Sequence, residues 1–293
     1  MIDAVTPFVF EHRNVRGAWV EIGSGVADML GHHQYSQDVR ALVGESCAAV
    51  SLLAAQTSFE GQLSLQYQNG KGAVKLLVAQ ADPNLQVRGM AKASAEAHGA
   101  LPELLEGGLL GLLIEGGKGN NYQALVEVRG ATLAAALEAY FFQSEQLPTR
   151  VCLVGSNDSL RGLLIQRLPT DERGRASEED DAHWQHLEAL FATLSPQELA
   201  ATTVPELLLK LFPEEDIRVF REKPVQLACR CNHASISAML VSLGRKELEE
   251  LLAERGEVEV TCEFCGKVYR YTPTDMHDLF AAIEARARGS TQH

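Results

Sequence analysis

The chain is short of the features that would place it in a membrane or on a nucleic acid. Its apolar stretches are brief and interrupted, as at Leu109 to Ile114, whereas a spanning helix needs about 20 apolar residues. Positive charge is in deficit: 26 Lys and Arg stand against 39 Asp and Glu, a formal net charge of -13. That balance disfavours nonspecific binding to nucleic acid or to an anionic membrane face. The start, Met1-Ile2-Asp3-Ala4, has no basic segment leading into an apolar run. No secretory signal is therefore read, and the expected compartment is the cytoplasm. The stretch Gly107 to Gly119 is glycine-rich but lacks the Gly-Lys-Ser/Thr ending of a phosphate loop, since Lys118 precedes Gly119. It reads as turns around a short strand, Leu112 to Ile114. No Ser/His/Asp set or carboxylate pair stands out, and the chain is not read as an enzyme.

What is present is an ordinary globular composition, 46% hydrophobic and 22% charged over 293 residues. Residues 3 to 26 read as strands, and Gly31 to Ser36, with His32 and His33, as a loop. From Gln37 to about Thr57, apolar residues at spacings of three and four predict a helix that carries Cys47 in its buried stripe. A hairpin follows, Leu63 to Tyr67 against Val74 to Val78, turning at Asn69-Gly70. Strands are expected at Leu85 to Met90, Tyr122 to Arg129, Arg150 to Val154 (with Cys152 in the core) and Leu163 to Leu168. A helix is expected at Leu133 to Phe142. Residues 1–170 thus form a mixed, largely antiparallel sheet-and-helix domain, and the fold class is α+β.

From Asp171 the texture changes. Residues 171–225 carry 13 acids and 6 bases, net -7, over half of the net charge. Short helices are read around Trp184 to Leu194, from Pro196, and over Val204 to Leu211. Helices shorter than about 12–15 residues are marginal alone, so this acidic helical linker is metastable and needs a partner surface.

Cysteine is scarce, six in all, and four of them crowd the last 65 residues. Cys229-Arg230-Cys231 is followed after 30 residues by Cys262-Glu263-Phe264-Cys265. Four thiolates in two close pairs suit a tetrahedral zinc ion. A small C-terminal zinc-binding domain is therefore expected over 226–293, with Cys229, Cys231, Cys262 and Cys265 as ligands. Two short helices broken at Gly244 lie between the pairs, and a closing helix covers Asp275 to Ala285 with Leu279, Phe280 and Ile283 as its core face. His233 and His277 read as plain polar residues rather than substitute ligands. The core of this domain is thin, so metal would supply much of its folding free energy, on the order of 10–16 kcal/mol in small peptides. Zinc-bound thiolates are also the form that oxidants attack. The residues alone leave open a static zinc domain or a redox switch.

At these residues the chain resembles the redox-regulated heat-shock holdase chaperones, the 33 kDa chaperonin family, whose signature is Cys-x-Cys, about thirty residues, then Cys-x-x-Cys. The likeness extends to Val15-Arg16-Gly17, the run Leu52 to Ala55, Phe59-Glu60-Gly61, Tyr122-Gln123, Tyr140 to Arg150 and Leu163 to Pro169. Asn232-His233 and the glycine-rich stretch depart from it. The resemblance implies an ATP-independent holdase that is inactive while reduced and loaded with one Zn2+ per chain. Oxidation would form the Cys229–Cys231 and Cys262–Cys265 disulfides and release zinc. The C-terminal domain and linker would then unfold, and the chain would dimerise and bind unfolding client proteins. Two rival readings stand beside it. A nucleic-acid-binding protein with a static zinc module conflicts with the net charge of -2 over 226–293. A thiol–disulfide oxidoreductase using Cys262 and Cys265 lacks the strand-then-helix setting of that motif.

Overall fold

The computed structural model describes residues 3–68, 70–116, 121–169 and 178–289, with side chains to residue 281. Asn69 of the expected hairpin turn, Lys118 and Gly119, the charged run from Asp171, and the Ile283 side chain lie outside these. The chain divides into two compact units, Met1–Ala228 and Cys229–His293.

The first unit is built on two largely antiparallel sheets. One has the order β10-β1-β2-β9-β8, formed by β1 (Ala4–Phe10), β2 (Val15–Ile22), β8 (Thr149–Gly155), β9 (Leu160–Arg167) and β10 (Ile217–Val219), with β11 (Lys223–Pro224) also on β1. The other runs β12-β5-β4-β3-β6-β7, from β3 (Leu63–Gln68), β4 (Val74–Ala81), β5 (Gln86–Ala93), β6 (Leu109–Glu115), β7 (Asn121–Glu127) and β12 (Gln226–Leu227). Helix α2 (Gln37–Gln56) packs against strands of both sheets. It is buried on nearly every side, not on one stripe: Gly44, Ser46, Ala48 and Ser51 are buried along with Leu42 and Cys47. The small residues make this possible. A Cβ on Gly44 would meet Leu160 Cδ2 at 2.6 Å, and one on Gly155 would meet the Ala41 carbonyl oxygen at 2.3 Å. Ser46 and Ser51 return their hydroxyls to the carbonyls of Leu42 and Cys47, each at 2.7 Å, so no donor is stranded.

Several elements differ from the sequence expectation. Short helix α1 (Val26–Gly31) takes in the end of the segment read as strands and the start of the loop at Gly31, and α3 (Leu101–Leu104) is a further short helix that the sequence reading does not contain. The strand within the glycine-rich stretch runs the full length of β6 and includes Gly111. Helix α4 (Leu133–Tyr140) ends in a π-helical turn, Phe141–Glu145.

The second face of the β1-β2-β9-β8 sheet is also apolar, because Phe8, Phe10, Val15, Trp19, Leu163 and Ile165 alternate with residues facing α2. Helices α5 (Glu178–Phe191), α6 (Pro196–Ala201) and α7 (Val204–Leu211) cover it with Trp184, Leu187, Phe191, Leu199, Leu208 and Leu211. Phe212 meets Phe10 edge-on at 5.1 Å. Arginines along the sheet grip these helices. Arg167 pairs with Asp181 at 2.6 Å, Arg150 with Glu188 at 3.1 Å, and Arg161 donates to the carbonyls of Leu199 and Thr202. Past α7 the chain is stitched into both sheets, antiparallel on β1 and then parallel on β5.

The second unit holds α8 (His233–Leu243), α9 (Arg245–Arg255), the hairpin β13 (Val258–Thr261) and β14 (Val268–Tyr271), and α10 (Pro273–Gly289). Its core is small: Ile236, Leu240, Leu248, Val258, Tyr269, Tyr271, Met276 and Phe280, with Cys262 among them.

Candidate metal centre

The two cysteine pairs are presented by different devices. Cys229-Arg230-Cys231 runs directly into α8, whose N-cap Asn232 accepts from the Ser235 amide at 2.8 Å. This cap sets where the helix begins and so where Cys231 sits. Cys262 and Cys265 lie on the β13–β14 connection. There the Gly266 amide donates to the Cys262 carbonyl at 2.8 Å and the Cys262 amide to the Lys267 carbonyl at 2.9 Å. Gly266 has φ 67°, a left-handed turn that glycine takes without strain. The tight turn points the Lys267 amide at Cys265 Sγ, as the Cys231 amide points at Cys229 Sγ.

The four Sγ atoms converge within 4.8 Å of one another, and among the described residues they are the one such cluster of His, Cys, Asp or Glu. The shortest approaches run across the motifs: Cys229 to Cys262 at 3.6 Å and Cys231 to Cys265 at 3.4 Å. A zinc–sulfur length of about 2.3 Å in a tetrahedron places sulfurs about 3.8 Å apart. The cluster therefore fits such an ion, and its all-sulfur, four-donor set leaves no open position for water. His233 and His277 stand outside it. His277 is exposed beside Asp278, and His233 packs edge-on against Tyr269 at 5.0 Å.

One contact at the site was not visible in the spacing of the cysteines. Tyr269 Oη, on a side chain buried in the small core, donates to Cys231 Sγ at 3.2 Å. Lys267 Nζ lies over the same ring at 5.1 Å. The alternation of Tyr269 and Tyr271 after Cys265 was the available signal. Burial pushes the Cys231 thiol up, but donation from Tyr269 and from the neighbouring thiols outweighs it and brings the group down to about 7. The Cys229 and Cys265 thiols are raised, burial being the main cause. Cys47 and Cys152 are buried far from this cluster in sequence, and burial pushes each up to about 12, so they are unreactive core thiols.

The family model described as Hsp33 protein matches residues 3–272. The 33 kDa chaperonin of Pseudomonas aeruginosa is 39% identical over 290 residues, covering 98% of this chain and 97% of that protein. The 33 kDa chaperonin of Nitrosococcus oceani is 37% identical over 292 residues, covering 99% of each. The crystal structure of the 33 kDa chaperonin of Thermotoga maritima superposes with a TM-score of 0.80, over 97% of this chain and 99% of that one. At 20% identity this last likeness is one of fold.

Proposed function

The chain belongs to the Hsp33 family of redox-regulated holdase chaperones, the 33 kDa chaperonins, and we propose that its four-cysteine cluster holds one Zn2+ whose retention keeps the chaperone inactive. The observation that carries this is the convergence of Cys229, Cys231, Cys262 and Cys265 to tetrahedral sulfur spacing. As a chaperone family it is not one of enzymes, which sets aside the oxidoreductase reading.

Bound zinc stabilises the small C-terminal unit, whose apolar core is thin. Two equivalents of peroxide oxidise the four thiolates. Each pair of thiolates gives up two electrons as its disulfide forms, each peroxide takes those two electrons and two protons from solvent, and four waters form. Sulfurs joined as disulfides no longer hold the ion, and the C-terminal unit loses its main stabiliser. The family resemblance implies Cys229–Cys231 and Cys262–Cys265 as the disulfides, although the cross-motif pairs are the close ones before oxidation.

The linker responds because its helices have 14, 6 and 8 residues and depend on the sheet they cover. Once released, they uncover Phe8, Phe10, Trp19, Leu163 and Ile165. This apolar sheet face is the client-binding surface, and it takes unfolding proteins without ATP. The oxidised form is a homodimer, and the protein works in the cytoplasm. Among the described residues no helix is long and apolar enough to cross a membrane.

The test counts zinc and free thiols per chain before and after peroxide at elevated temperature. Light scattering of a heat-aggregating client is read in parallel, and peptide mapping identifies the disulfides. Loss of one zinc and four thiols with gain of client protection is expected. Protection by the reduced, zinc-loaded chain would contradict the switch.

A further inference from the structure

The cysteine chemistry leaves unused the N-terminal segments that carry the family resemblance. Those around Arg16, Leu53, Tyr122, Tyr140 and Gln166 meet at one cavity of about 220 Å³ within the first unit. Its walls come from β2 and β9 of one sheet, β3, β6 and β7 of the other, the end of α2 and the π-helical turn. Most of its surface is apolar, supplied by residues such as Leu63, Leu112, Ile114 and Phe141.

Arg16 is the one cationic side chain among the described residues of its lining. Its Nε and Nη2 donate to Gln166 Oε1 at 3.2 and 2.7 Å, and its Nη1 to the Gln56 carbonyl at 3.3 Å. Gln166 is only 3% exposed and is itself held, its Nε2 donating to Thr149 Oγ1 at 2.9 Å. Thr149 Oγ1 donates in turn to the Leu147 carbonyl at 2.9 Å. The guanidinium is thus fixed before any ligand arrives. It has five N–H donors, and one on Nη1 and one on Nη2 remain.

Among the described residues the hydrogen bonds of Arg16 go only to neutral oxygens, those of Gln166 and Gln56, and burial lowers its pKa from the ordinary value. The carboxylate that does line the cavity, Glu145, is already engaged by two phenols: it accepts from Tyr140 at 2.8 Å and from Tyr122. A partly buried guanidinium bonded only to neutral acceptors is unusual, because such groups are ordinarily matched by a carboxylate or phosphate. Apolar walls exclude a heavily hydrated anion such as phosphate, so the complement is a carboxylate on an apolar body.

We propose that this cavity is a binding site for a small apolar carboxylate, the carboxylate on the free donors of Arg16 and the apolar body among Leu63, Leu112, Ile114 and Phe141. The same chemistry is offered by a free medium-chain or aromatic acid and by the C-terminal residue of a peptide that ends in a large apolar side chain. The site does not depend on the cysteines, so it stands whether or not the redox proposal holds.

The experiment titrates the whole reduced protein with sodium octanoate, 1-octanol and octylamine by calorimetry. A peptide ending in leucine and its C-terminal amide distinguish the two sources. Octanoate is expected to bind saturably and at least about tenfold more tightly than octanol or octylamine. Arg16→Gln is expected to remove that preference, and Arg16→Lys to keep part of it. Tighter binding by the free-acid peptide than by octanoate assigns the site to chain ends, and the reverse order to free acids. Absence of saturable octanoate binding would overturn the proposal. So would octanol binding as tightly, or octylamine binding more tightly through Glu145. The three-ligand comparison on the unaltered chain decides the matter if either Arg16 variant fails to fold.

Discussion

At Cys231 the sulfur shares its charge with a phenol. A hydrogen bond donated to a thiolate withdraws electron density from it and slows its attack on an oxidant. Removing the donor in Tyr269→Phe should therefore speed peroxide-driven zinc loss, by about threefold or more, since a hydrogen bond to a charged group is worth roughly 1.5–3 kcal/mol and somewhat under half of that reaches the rate of thiolate attack. Stopped-flow detection of released zinc checks this, and an unchanged or slower rate would show that the bond from Tyr269 does not restrain the sulfur. A second residue works far from the cysteines. Glu45, on α2, borders the space between β8 and the α5–α6 turn, near Glu138 and Arg150. Burial pushes its carboxyl up to about 7. A carboxyl raised on folding is tolerated while protonated, so its contribution is intact below the unfolded value and is lost as pH rises through about 7. Glu45→Gln should thus gain about 1–3 kcal/mol over the parent at pH 8 and little at pH 4. Urea unfolding at the two pH values reads the difference, and an equal effect at both would sink it. The cysteine cluster was legible because its ligands announce themselves by spacing within a few residues. Tyr269, Arg16 and Glu45 were not, since each owes its role to residues brought together only by tertiary packing.

Among the elements, the helices over the β1-β2-β9-β8 sheet cover the apolar face proposed to bind clients. Leu187 is fully buried in that seam. Leu187→Ala should cost about 2–5 kcal/mol, drawn from the docking of α5 rather than from the core around α2. The variant is expected to protect a heat-aggregating client with its zinc and thiols intact. A fully inactive reduced variant, shown to be destabilised by that amount, would mean that the seam does not gate activity. Periodicity exposed these helices well, Val204–Leu211 to the residue. It did not show the ion pairs that help to dock them: the acids at Glu179 and Asp181 form the first turn of α5 and pair with Arg13 and Arg167. Strands β10 to β12 have three, two and two residues and include Pro224. Segments so short carry no alternation to read; they are strands only because β1 and β5 offer free edges. Helix α2 hid its full burial for the opposite reason, since its small residues look neutral until two sheets close on them.

For the whole molecule, the proposed switch has chemistry at one end of the chain change what is exposed at the other. The chain has two tryptophans. Trp19 on β2 is 1% exposed and Trp184 on α5 is 4% exposed, and they face each other's elements across the linker seam. Intrinsic emission therefore reports the seam directly, with no label and no cysteine altered. Tryptophan emission followed alongside the free-thiol count during oxidation, and again after reduction with zinc restored, is the measurement to make. A red shift that accompanies loss of the four thiols and reverses on reduction is expected. Emission that stays unshifted in a chain that has lost four thiols and protects its client would contradict linker release as the switch.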